Sequence, residues 1–110
     1  MTDAVMFDID DTLINSRTGM RIERVYKLYK HLKGLGYKII IVTARPGFAE
    51  NRKWTREELL KNGITYDRLI FAKAEYKGLY KRTSGYNFVI SVGDQATDLT
   101  DSQYCIKIST

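Results

Sequence analysis

With a single cysteine, Cys105, the chain cannot close an internal disulfide. A reducing compartment, or indifference to redox state, suits such a chain. No apolar run approaches the roughly 20 residues that cross a bilayer, so no membrane partner is expected. No basic segment leading into an apolar stretch marks a signal peptide, and the expected location is cytoplasmic. Internal repeats, low-complexity tracts and linkers are also missing, so residues 1–110 read as one domain. Hydrophobic residues at 44% and charged residues at 28% exclude a disordered chain. The only histidine, His31, sits in a basic segment away from every motif below and is given no catalytic part. Negative charge is in deficit: the formal net charge is +5. Such a surface attracts anionic substrates, nucleic acid among them, or is simply a soluble basic face.

What is present is a regular alternation. Strands are expected at residues 3–8, 37–43, 68–71, 87–93 and 104–108, with helices at 21–33, 49–62 and 75–83. The first helix carries Ile22, Val25, Leu28, Tyr29 and Leu32 at spacings of three and four. Gly34 and Gly36 end it, Pro46-Gly47 breaks the second strand, and Asn62-Gly63 stops the second helix. A short helical turn is expected at 96–101. This β-α-β order predicts an α/β, Rossmann-like, three-layer domain with a mostly parallel five-stranded sheet.

Chemistry gathers at the strand ends. Val5-Met6-Phe7 runs into Asp8-Ile9-Asp10-Asp11-Thr12, a crowd of carboxylates that is costly without a cation or a proton. Thr43 follows Ile39-Ile40-Ile41-Val42, and Asp94 and Asp98 follow Phe88-Val89-Ile90-Ser91-Val92-Gly93. Ligands of parallel sheets bind at the carboxyl ends of the strands, so this fold would collect all of these residues at one edge.

Phe7-Asp8-Ile9-Asp10-Asp11-Thr12-Leu13, Ile41-Val42-Thr43-Ala44-Arg45 and Gly93-Asp94-Gln95-Ala96-Thr97-Asp98 resemble three motifs of the haloacid dehalogenase-like (HAD) phosphatase superfamily, in its order. Tyr76-Lys77-Gly78-Leu79-Tyr80-Lys81-Arg82 is similar to the lysine segment of the class B acid phosphatases, which points to Lys77, with Lys73 and Lys81 as rivals. The stretch from Asn51 to Asp67 also resembles that branch and the polynucleotide 3′-phosphatases. The resemblance implies a Mg²⁺-dependent phosphomonoester hydrolase working through an aspartyl-phosphate. It makes Asp8 the nucleophile, and Asp10 the general acid and then base, kept protonated by anionic neighbours. Thr43 and Lys77 would hold the phosphoryl group. Mg²⁺ would be held by Asp8, the Asp10 carbonyl and Asp94, with Asp98 behind them. Asp11 stands where a glycine is common and is expected to face solvent or a turn amide.

Members with a cap domain insert it after the first motif or between the second and third. Neither interval has room for one, so an open site and no cap are expected. Arg45, Arg52 and Lys53 would ring its mouth and suit a nucleotide or a nucleic-acid 3′-phosphate end. A small phosphorylated metabolite and a catalytically silent binding domain are the alternatives. A receiver-like signalling module fails because its phosphoacceptor should end the third strand, where Ile70-Phe71-Ala72 stand. On an ideal helix Leu59 and Leu60 straddle one face, while Trp54 lies nearly opposite beside Glu57, Glu58 and Lys61, open for base stacking or a subunit contact. The oligomeric state is not legible.

Overall fold

The apolar runs and amphipathic segments become five strands and three helices in the computed structural model, which describes residues 1–109. In chain order they are β1 (Thr2–Phe7), α1 (Glu23–Gly34), β2 (Lys38–Thr43), α2 (Ala49–Lys61), β3 (Arg68–Phe71), α3 (Lys77–Thr83), β4 (Tyr86–Gly93) and β5 (Tyr104–Lys107). Tight 3₁₀ turns at Ala74–Tyr76 and Ala96–Asp98 precede α3 and follow β4.

Every pairing is parallel and the sheet order is β3-β2-β1-β4-β5. The two-residue period of the strands splits the core into two layers. Val5, Phe7, Ile39 and Ile41 point one way, onto Val25, Tyr29 and Leu32 of α1 and Leu59 of α2. Ala4, Met6, Ile40, Val42 and Phe88 point the other way, with Tyr80 of α3 packed against them. Strands buried on both faces need apolar side chains at every position, which is why β1 and β2 read as unbroken runs. The α/β Rossmann-like expectation is met.

Three local expectations are corrected. α1 starts at Glu23 rather than Arg21, because the Arg21 amide donates to Asn62 Oδ1 and the Ile22 amide to the Leu13 carbonyl, tying both residues to loops. On α2 only Leu59 of the two leucines enters the core, and Leu60 is exposed. Glu58 lines a groove with Trp54, Glu57 and Lys61 as expected, with its carboxylate turned onto Arg45. The segment ahead of Lys77 is a 3₁₀ turn, and α3 proper begins at Lys77.

Candidate active site

Sheet register alone brings the motifs together. Phe7 pairs with Ile41 on one side and Val92 on the other. Asp8, Thr43 and Asp94 therefore leave neighbouring parallel strands at the same edge, with β1 in the middle. Asp8, Asp94 and Asp98 each offer a carboxylate oxygen within 4.8 Å of the others. Asp8, Asp94, Asp10 and Lys77 line a cavity of about 410 Å³ whose mouth carries the exposed Ala44, Pro46 and Gln95, and Asp98 is fully buried behind them.

Lys77 is the cation at its floor. As the first residue of α3 it reaches inward, only 3% exposed, and donates to Asp8 Oδ1 at 3.0 Å and Asp98 Oδ1 at 2.5 Å. Burial works against its charge, but the charges and hydrogen bonds of Asp8 and Asp98 outweigh burial and hold its pKa above the ordinary lysine value. Burial is also the main influence on Asp8, pushing its carboxyl up to about 7; Lys77 opposes the rise, while Asp98 and Asp94 add to it. A second cation close to Asp8 and Asp94 would relieve that crowding.

The donor set suits a hard divalent ion. Asp8 Oδ2 meets only the Thr12 hydroxyl, at 3.4 Å, and no side-chain hydrogen bond engages Asp94 among the described residues, apart from its approach to Asp8. Asp98 is different. Fully buried, it receives Lys77 on Oδ1 and the Gln95 amide on Oδ2. Both of its oxygens are engaged by protein donors, so it positions Lys77 and the Gln95 turn. Gly93 makes room for it: a Cβ there would overlap the Asp98 carboxyl and Cβ.

Lys81, one turn beyond Lys77, is also buried. It donates to Ser91 Oγ (3.0 Å), the Asp98 carbonyl (2.7 Å) and the Thr100 carbonyl (2.5 Å). Burial pushes its pKa down to about 8. It braces the strand-to-turn segment that carries Asp94 and Asp98, and does not reach Asp8. Lys73 is exposed. Thr43 is buried at the end of β2; its hydroxyl oxygen accepts the Arg45 amide at 3.2 Å, leaving its proton to donate elsewhere.

Asp10 has a guanidinium for its nearest charged partner, where anionic neighbours were expected. Arg45 forks it with Nε to Oδ2 at 3.0 Å and Nη2 to Oδ1 at 2.8 Å. The same Nη2 donates to Glu58 at 2.7 Å, and Nη1 reaches the Thr55 hydroxyl at 3.3 Å. The Arg45 guanidinium also lies 4.9 Å from the Trp54 ring centroid. Arg45 is thus turned inward rather than standing free on the rim. Arg52 donates to the Gly47 carbonyl and stacks on Phe71, while Lys53 is exposed. Asp11 has φ of 59°, the left-handed region that glycine enters freely and aspartate tolerates. Its carboxylate accepts the Ser16 amide and hydroxyl at 3.0 and 2.9 Å, so it closes the turn at the edge of the cavity.

Glu58 and the bracing role of Lys81 were not read from sequence. A signal for Glu58 existed: α2 buries only Thr55 and Leu59, so its inner face is short of apolar residues.

A model of the HAD superfamily, subfamily IIIB (acid phosphatase), matches residues 14–109. The match begins just past Asp8, Asp10 and Thr12, and it takes in Thr43, Lys77, Asp94 and Asp98. No curated protein matches the chain. Among solved structures, the Pnkp1/Rnl/Hen1 complex is similar over 98% of this chain and 46% of that one, with 21% identity and a TM-score of 0.75. Hypothetical protein PH1952 from Pyrococcus horikoshii OT3 is similar over 90% of this chain and 36% of its own, with 23% identity and a TM-score of 0.50. These likenesses bear on the fold, and this chain spans less than half the length of either structure. With the family model covering most of its residues, the chain belongs to the HAD superfamily, subfamily IIIB, the acid phosphatases.

Proposed function

We infer that this domain is a Mg²⁺-dependent phosphomonoester hydrolase that works through a phosphorylated Asp8, on a nucleotide or a nucleic-acid 3′-phosphate end. The observation that carries the reading is the Asp8 carboxylate, buried at a strand end, fixed by Lys77 and crowded by Asp94. A structural carboxylate gains nothing from such crowding, whereas a nucleophile that must meet a phosphate dianion needs cations on both sides.

Asp8 and Asp94 would hold Mg²⁺, with the Asp10 carbonyl as the further oxygen donor that the family resemblance implies. When bound, the ion supplies charge neutralisation for the phosphoryl oxygens. An oxygen of Asp8 forms a bond to phosphorus as the bond to the leaving oxygen breaks. Asp10 gives its proton to that oxygen. Asp10, now a carboxylate, takes a proton from a water whose oxygen attacks phosphorus. The Asp8–phosphorus bond breaks, releasing phosphate and restoring both carboxyl groups. Lys77 and the Thr43 hydroxyl donate to the phosphoryl oxygens, and Asp98 keeps Lys77 in place. The nucleic-acid preference is supported by the net charge of +5, the open mouth and the exposed Trp54.

The test is hydrolysis of an aryl phosphate, nucleoside 3′- and 5′-monophosphates and a 3′-phosphorylated oligonucleotide, with Mg²⁺, with chelator and in Asp8→Asn. Mg²⁺-dependent turnover that vanishes in Asp8→Asn and is fastest on the oligonucleotide is expected. Turnover that survives Asp8→Asn overturns the covalent route. Folded protein that binds Mg²⁺ and turns over nothing favours a silent binding domain.

A further inference from the structure

Two cavities meet at Asp10. The first, described above, holds the phosphate chemistry. The second, of about 510 Å³, shares Asp10, Arg45 and Pro46 with it and extends past Asn51 and Arg17 to Trp54. Its size falls within the range of small-molecule sites. Because Asp10 hands its proton to the leaving oxygen, the leaving group has to lie on the Asp10 side, away from Lys77. The second cavity occupies that side.

Its lining narrows the chemistry. Several of its polar groups are partly engaged: Asn51 donates to the Pro46 carbonyl, Asn15 accepts the Arg17 amide, and Ser16 binds Asp11. The Asn51 carbonyl oxygen, the Asn15 amide nitrogen and the Thr18 hydroxyl proton meet no partner among the described residues and are free for a ligand, so these groups alone do not choose between ligands. Two other features do. The Arg17 guanidinium makes no ion pair among the described residues. Trp54 is 53% exposed, yet it is anchored by the Arg45 guanidinium that Asp10 and Glu58 hold still. An indole fixed from one side and open to a cavity is a preorganised stacking platform, and stacking accepts any base because every base has a π-face.

We propose that this second cavity is the leaving-group subsite and takes the terminal nucleoside, its base stacked on Trp54 and the preceding phosphodiester met by Arg17. The inference rests on the phosphomonoesterase reading and adds the residues that choose the substrate.

Trp54 is the only tryptophan, so intrinsic fluorescence reports the site directly. The Asp8→Asn protein with Mg²⁺ is titrated with a nucleoside 3′-monophosphate, a 3′-phosphorylated dinucleotide, glycerol phosphate and inorganic phosphate. Quenching by both nucleotides and by neither of the other two is expected. In the active enzyme, Trp54→Ala should raise KM for the mononucleotide about tenfold relative to its effect on glycerol phosphate, and Trp54→Phe should recover most of that. Arg17→Ala should weaken the dinucleotide more than the mononucleotide. Absence of quenching, with KM rising equally on both substrates, overturns the subsite even when Asp8-dependent turnover persists. Quenching by nucleotides in a protein that hydrolyses nothing keeps the nucleoside site and overturns the phosphatase reading instead.

Discussion

Replacing Arg45 by Met keeps the aliphatic stem and removes the guanidinium from two carboxylates in unequal surroundings. The Glu58 side chain is 13% exposed and Arg45 is its only ion-pair partner among the described residues, whereas Asp10 is 43% exposed and water can take over there. Removing one member of a fully buried pair costs about 3–5 kcal/mol. Glu58 keeps some contact with solvent, so about 2–3 kcal/mol is expected for Arg45→Met. At roughly 4–8 °C per kcal/mol, its midpoint should fall by on the order of 8–24 °C. Glu58→Gln alone removes a charge but retains an acceptor, at about 1 kcal/mol. The double variant should then recover about 1–2 kcal/mol against the sum of the singles, since no orphaned carboxylate remains. Asp10→Asn, at an exposed pair, should cost under about 1 kcal/mol. Catalysis should follow the other arm: Arg45→Met misplaces Asp10 and lowers kcat about 10–100-fold, while Glu58→Gln leaves the fork on Asp10 and stays within about threefold. Urea unfolding of the four proteins, with kcat on an aryl phosphate, measures both arms. Additive stability losses, with a coupling under about 0.5 kcal/mol, would refute the claim that Glu58 depends on Arg45. Equal kcat losses in Arg45→Met and Glu58→Gln would refute the separation.

Two further outcomes follow from the carboxylate cluster. In metal-free protein the Asp8 carboxyl titrates near 7, against 3.8 when free of the fold. The unfolded chain loses this proton first, so the stability that Asp8 contributes at low pH is lost as pH rises from about 4 to 7. Asp8→Asn does not ionise, so it should gain on the parent across that window by up to about 4 kcal/mol, read as midpoints in chelator against pH; a gap that stays flat would be inconsistent with a buried, proton-holding Asp8. Gly93→Ala pushes a methyl into Asp98. It should cost about 2–4 kcal/mol and abolish the rise in melting midpoint on adding Mg²⁺, and an undiminished Mg²⁺ effect would show that the Asp98 turn is dispensable to the cation.

The strand-borne half of the site was legible because strand ends are fixed by apolar patterning and parallel register. Asp8, Thr43 and Asp94 had to emerge together once β1 lay between β2 and β4. Lys77 was legible as one of three lysines, and burial separates them: Lys73 outside, Lys77 on Asp8, Lys81 behind Asp98. The direction taken by Arg45 was not legible. Its partners Asp10 and Glu58 lie 35 and 13 positions away, and a basic residue after a strand reads equally well as rim or as brace. Asp11 was readable as a turn residue, but the left-handed backbone that explains the substitution for glycine appears only in the folded chain. The start of α1 was missed for a similar reason: Asn62 captures the Arg21 amide from far along the sequence.

Two cations hold four carboxylates of the site, Asp94 not among them, and the division bears on the order of the proposed steps. Lys77 holds Asp8 with Asp98, and Arg45 holds Asp10 with Glu58. A guanidinium fork needs two acceptor oxygens, so the resting contact fits the carboxylate form of Asp10, the form that accepts a proton from water in the second step. The first step needs the acid form, which can accept one arm of the fork but must turn its hydroxyl elsewhere. If Asp10 turns, Glu58 would keep Arg45 from following, because Glu58 is nearly buried and Asp10 is not. An arriving phosphate ester supplies the acceptor for that hydroxyl in its leaving oxygen. Asp10 would then leave its fork as substrate enters and return to it as base once the leaving group has gone, while Arg45 stays in place beneath Trp54. Only the acid would then move with the arrival of substrate, while the platform for the leaving group and the arginine that joins the two stay fixed.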